Sequence, residues 1–157
     1  MKDLKRIVEE LKKRNKTIST MESCTGGHIV DAITNIEGSS AILKFSAVTY
    51  SNEYKIKMGV SKDIIDTYTV YSMETANEMS KTISMFTNSN YGIGITGQIN
   101  NADPANIVDN SNKIYISVYD KDNGKFYNKE ITAVNEDRKT NKDYILDIVV
   151  SMISEIL

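Results

Sequence analysis

Residues able to do chemistry crowd into one stretch, Thr20 to Val30, reading TMESCTGGHIV. It holds a carboxylate, hydroxyls, the chain's one cysteine, its one histidine and a pair of glycines. A strand ending near Met21 and a helix starting near Thr25 would set Ser23 at a helix N-terminus. Free N–H groups and the positive end of the macrodipole gather there. Such a place can hold a bound phosphate or the oxyanion of an acyl-transfer step, and Gly26 and Gly27 would let a ligand approach the backbone. The bland alternative is that Ser23 or Thr25 merely caps the helix.

A serine nucleophile needs a base. His28 lies five residues on, about 140° around a helix at 3.6 residues per turn, so a Ser-His-Asp triad is not expected. Cys24 and His28 share a face at i, i+4, which leaves open either a thiolate pair or a small buried filler. Without histidine, the base must be lysine or tyrosine, and VTYSNEYK supplies both as Tyr50 and Lys55. Lysine titrates near 10.4. Working as a base near pH 8 requires roughly 3 kcal/mol of desolvation or neighbouring positive charge. A catalytic Lys55 is therefore partly buried; the alternative is a solvated lysine on a short helix.

The elements that would position these groups follow from periodicity. Leu4, Ile7, Val8 and Leu11 recur at helical spacing over residues 3–14. KTISTM reads as a short strand, CTGGHIVDAITN as a helix burying Ile29, Ala32 and Ile33, and ILKFSAVTY as a β-rich run to Tyr50. Ser51 and Ser61 are expected caps of short helices, and Ser72 begins a long one with Met73, Ala76, Met79, Ile83 and Phe86 spaced for burial. YGIGIT is a strand whose glycines signal close backbone approach. Asn123-Gly124, between KIYISVYD and KFYNKEITAV, is the preferred signal for a two-residue type I′ hairpin. A last helix from about Asp137 carries Ile145, Ile148, Val149, Met152 and Ile156. The order predicts an α/β fold, three-layer α/β/α, with a mixed sheet and a C-terminal β-hairpin plus helix, all in a single domain over 1–157. The polar segment GQINNADPANIVDNSN, with the sole proline at Pro104, reads as a binding loop, a lid or a disordered stretch.

Bulk properties narrow the function. The chain has 157 residues, enough to bury about 70 % of its unfolded surface. A formal net charge of -2 argues against a nucleic-acid face, and Lys12, Lys13, Arg14 and Lys16 read as the solvated side of the first helix. No run of eighteen apolar residues exists to span a membrane. One cysteine and no secretory signal suit a reducing, cytoplasmic setting. Cys24 and His28 cannot assemble a four-ligand zinc site. YDKDNGK fails as a calcium loop because Gly124 comes one position early and Ile131 stands where the bidentate Glu belongs.

ESCTGG, GSSAI (Gly38 to Ile42), VTYSNEYK followed by MGV, and GITG (Gly94 to Gly97) occur in the order and spacing of the CinA C-terminal domain family, which the chain resembles from about Leu4 onward. That family includes stand-alone nicotinamide-nucleotide amidohydrolases. The resemblance implies deamidation of nicotinamide mononucleotide to nicotinate mononucleotide and ammonia, with no metal and no cofactor. It implies Ser23 as nucleophile, Tyr50 and Lys55 as base-side partners, and Cys24, Thr25, Gly26, Thr96 and Arg138 as substrate-binding residues. Arg138, in NEDRKTNK, would meet the phosphate, since a guanidinium fork matches two oxygens; read locally, it could equally form a surface ion pair. The expected partner is a small nucleotide, with a homo-oligomer left open.

Two departures from the family pattern stand out. A glycine- and proline-rich loop is replaced by Gln98 to Asp103, and Lys142 stands where arginine is common. These motivate the alternative of a catalytically altered member that binds a nucleotide or hydrolyses a different small amide.

Overall fold

The structure, a computed structural model, describes residues 2–100 and 111–157. Pro104 and most of the polar segment around it lie outside the described residues. Helix α1 (Lys2–Lys13) buries Leu4, Ile7, Val8 and Leu11, the stripe that its spacing predicts. Strand β1 (Ile18–Glu22) follows, buried along its whole length. Helix α2 (His28–Thr34) comes next, then the edge strand β2 (Ala47–Val48). Helices α3 (Asn52–Lys57), α4 (Lys62–Tyr68) and α5 (Met73–Thr87) lead to β3 (Tyr91–Gly97). The β4 (Lys113–Asp120) and β5 (Lys125–Thr132) hairpin precedes the long α6 (Arg138–Ile156).

The strands form one sheet in the order β2-β1-β3-β4-β5. β1 pairs in parallel with β2 and β3, whereas β4 is antiparallel to both β3 and β5. Ile18, Ile93, Ile95, Ile114 and Ile116 build one core with α1, α2 and α6. Met21 turns to the other face, beside Val60, Ile65, Val70, Met79 and Ile83. This is the expected α/β/α sandwich on a mixed sheet. The glycines of β3 explain how its second layer fits. A Cβ on Gly92 would lie 2.1 Å from the Ser80 carbonyl oxygen, and one on Gly94 2.4 Å from that of Ala76. The backbone approaching β3 is therefore α5, not a ligand.

The expected serines are in place at the helix starts: Ser51, Ser61 and Ser72 each accept the N–H three residues on, and Asp137, at the expected start of the last helix, does the same for α6. Three expectations need correction. Strand pairing along ILKFSAVTY is limited to Ala47 and Val48, since Ser46 Oγ accepts the Thr20 N–H where a ladder would otherwise run. The hairpin loop covers 121–124 rather than two residues, because the Asp120 carboxylate accepts from the Asn123 N–H and amide and only Gly124 takes a left-handed φ. Phe86 is 63 % exposed and meets the exposed Phe45 in a tilted ring contact instead of entering the core.

Candidate active site

The C-terminal ends of β1 and β3 lie side by side, and the Ser23 N–H donates to the Ile95 carbonyl. Alternation along β1 sends Met21 and Ser23 toward the α3–α5 layer, while Glu22 points toward α2. Helix α3 starts at the Ser51 cap and brings Lys55 under the strand ends from that same layer. Lys55 is 1 % exposed. Its Nζ donates to Ser23 Oγ at 3.0 Å and to the Thr49 carbonyl at 2.7 Å. Two groups 32 positions apart in sequence thus meet in a buried contact, and the lysine has the burial that a basic amine requires.

Tyr50 takes a different place. Its hydroxyl accepts from Arg138 Nη2 at 3.4 Å, its side chain is 57 % exposed, and among the described residues it makes no hydrogen bond to Ser23 or Lys55. Arg138 reaches away from the NEDRK segment rather than pairing within it: Nη1 donates to the Ile99 carbonyl at 2.6 Å. Arg138 therefore links the first turn of α6 to the end of β3 and to Tyr50. Lys142, one turn further along α6, brings its Nζ to 3.4 Å from where a Gly26 Cβ would stand. Lys142 thus faces the glycine turn, while Arg138 faces the end of β3.

That turn differs from expectation. Helix α2 begins at His28, so Ser23 precedes a turn rather than capping a helix. Gly27, with φ 97°, holds the cap position and offers no side chain. The helix N–H groups of Ile29 and Val30 are instead taken by the Glu22 carboxylate. They are unavailable to a ligand. Within the turn, the Gly26 N–H donates to the Ser23 carbonyl and the His28 N–H to that of Thr25. Among the described residues, the N–H groups of Thr25 and Gly27 have no backbone acceptor.

The other expected site residues are close by but engaged inward. The Thr25 hydroxyl donates to Glu22 Oε1 at 2.6 Å, and Thr96 Oγ1 donates to the Val70 carbonyl at 2.6 Å. Both threonines are 1 % exposed. The Cys24 thiol is buried, and desolvation pushes its pKa up to about 12 against the lowering effect of Lys55 and Arg138. It stays protonated at neutral pH and is no nucleophile. The Cys24–His28 pair does not form, since His28 Nε2 lies 2.8 Å from Asp143 Oδ1 on α6. No cluster of metal-ligating side chains occurs among the described residues.

Two structural residues escaped the sequence reading. Glu22 sits inside ESCTGG but has no periodic signal. Asn141 is fully buried; its amide donates to the Val134 and Asp137 carbonyls and to Asn100 Oδ1, while its own oxygen accepts the Val134 N–H. A signal for it existed: it falls one turn before Ile145 on the buried stripe of α6, a polar residue at an apolar position.

The family model for the CinA C-terminal domain matches residues 2–157. A competence-damage inducible protein of Clostridium botulinum (strain Langeland) is 36% identical over 148 residues, 92% of this chain and 34% of the relative. A CinA-like protein of Endomicrobium trichonymphae is 44% identical over 88 residues, 55% of this chain and 21% of the relative. The chain thus spans no more than about a third of the length of these curated relatives. Among solved structures, a competence-damaged protein (CinA) superfamily protein from Klebsiella pneumoniae shares the fold with TM-score 0.88 at 18% identity, covering 98% of this chain and 94% of that one. A competence/damage inducible protein from Agrobacterium tumefaciens reaches TM-score 0.78 at 25% identity, covering 98% and 93%. No helix among the described residues is long and apolar enough to cross a membrane. A match over nearly the whole chain, joined to the shared α/β/α architecture, places this protein in the CinA C-terminal domain family.

Proposed function

We propose that the protein hydrolyses the carboxamide of a nicotinamide nucleotide, nicotinamide mononucleotide in the first instance, through a covalent acyl-serine. The observation that carries this reading is the buried 3.0 Å contact between Lys55 Nζ and Ser23 Oγ. With the amine neutral, the contact reverses: the serine hydroxyl donates to the lysine, and an amine N–H still satisfies the Thr49 carbonyl. Lys55 takes the Ser23 proton as Oγ bonds to the carboxamide carbon. The Thr25 and Gly27 N–H groups face the developing oxyanion, a role whose loss costs about 3 kcal/mol per donor in serine hydrolases. Lys55 then returns its proton to the nitrogen, the C–N bond breaks and ammonia leaves. Water, deprotonated by Lys55, attacks the ester to release the acid and regenerate Ser23.

Arg138, beside Tyr50 and the end of β3, and Lys142, beside Gly26, supply positive charge for the nucleotide phosphate. In this reading Tyr50, held by Arg138, lines the entrance and acts on the substrate rather than on the serine. The test is ammonia release from nicotinamide mononucleotide with Ser23→Ala as control. Wild-type release abolished by the substitution supports the mechanism; undiminished turnover in Ser23→Ala removes it. Calorimetric binding without ammonia would mark a nucleotide-binding module instead. Ammonia from another member of an amide panel would keep the chemistry and change the substrate.

A further inference from the structure

Glu22 is the residue next to the nucleophile, and it is completely buried. A carboxylate withdrawn from water must have its oxygens satisfied. Here Oε1 accepts from the Thr25 hydroxyl at 2.6 Å and the Ile29 N–H at 3.0 Å, while Oε2 accepts from the Thr20 hydroxyl at 3.2 Å and the Val30 N–H at 3.0 Å. The donors come from three places: the strand before Ser23, the turn after it, and the first turn of α2. They therefore span the segment that carries the nucleophile.

That segment would be loose without them. Gly26 and Gly27 both take left-handed backbone, φ 61° and 97°, and the α2 N-terminus has no side-chain cap of its own. Glu22 also lies on the opposite side of β1 from Lys55, with its oxygens saturated, so it cannot exchange a proton with Ser23. We propose that Glu22, acting through Thr25, is a positioning residue: its carboxyl group, accepting four hydrogen bonds, clamps the Ser23–Gly27 turn so that Ser23 Oγ and the Thr25 and Gly27 N–H groups converge on one substrate carbonyl. This rests on the serine–lysine reading above. It assigns Thr25 a place in the clamp in place of a direct contact between its hydroxyl and substrate.

The test uses a substrate-independent probe of the nucleophile, the rate at which a fluorophosphonate labels Ser23, followed by intact mass with Ser23→Ala as blank. In that reaction Oγ bonds to phosphorus, fluoride leaves, and the serine proton passes to Lys55. Glu22→Gln keeps the shape but turns an amide donor toward donors; labelling and kcat should both fall about 100-fold, with KM nearly unchanged, as for a nucleophile displaced by about 1 Å. Thr25→Val, which keeps volume and removes one bond to the carboxylate, should lose about 10-fold in both, and Thr25→Ser should restore most of it. The threonine pair decides the matter if Glu22→Gln does not fold. Wild-type labelling rates in folded Thr25→Val, or losses confined to KM, overturn the clamp. A wild-type protein that is not labelled at Ser23 overturns the serine–lysine reading itself, and the clamp with it.

Discussion

Lys55 carries a four-carbon stem and an amine into a site where only 1 % of its surface meets water. The sequence supplied the requirement for such burial but not the fact, because KIKMGV around it reads equally as a solvated short helix. For Lys55→Met, which keeps the stem and removes the amine, kcat should drop at least about 100-fold with little change in KM, and the melting temperature should hold or rise. A rise in KM alone would remove the base role. Cys24 gives a second expectation. Its folded pKa is raised, so it contributes stability fully present below its ordinary value of 9.0 and lost as pH climbs toward about 12. Wild-type protein should therefore lose more stability than Cys24→Ala between pH 8 and about pH 11 in chemical denaturation. Equal losses would mean that the thiol is not protected. At this scale the residue types were legible and their partners were not: Thr25 and Thr96 looked like ligand contacts, yet both hydroxyls turn inward.

Elements announced by local chemistry were read well. The Ser72 hydroxyl accepts the Thr75 N–H at the start of α5, and Ser72→Ala should cost about 1 kcal/mol in denaturant unfolding. The glycines of β3 make a sharper case. Gly94→Ala would drive a Cβ against the Ala76 carbonyl and should destabilise by about 3 kcal/mol or leave the protein insoluble. Gly124→Ala meets nothing within 4 Å and should cost only about 1 kcal/mol, from its left-handed φ of 62°. Similar losses for the two would refute the tight α5–β3 contact. Elements whose form depends on other segments were read less well. The β2 run is short because Ser46 bonds to β1, α2 starts late because Gly26 and Gly27 before it take left-handed backbone, and the hairpin lengthens because Asp120 binds Asn123.

Across the whole molecule, β3 lies at the centre of the sheet, flanked by β1 and β4, and its end abuts the nucleophile turn. Amide exchange should be slowest in β1, β3 and β4 and faster in β5, the last strand of the sheet among the described residues, most of whose side chains are exposed. Protection of β5 equal to that of β3 would contradict this ordering. Helix α6 closes the site from the other end of the chain: Arg138 ties the end of β3 and Tyr50 together, and Asn141 holds the segment before the helix against Asn100. Most helices, their serine caps, the close-packed glycine strand and the motif order of the family were legible in the sequence, because each is written in local periodicity or in contiguous residues. Which groups meet was fixed only by the folded arrangement. Contacts between Lys55 and Ser23, Arg138 and Ile99, or Glu22 and the α2 backbone depend on strand order and on which face each side chain takes, and spacing along a chain does not encode those.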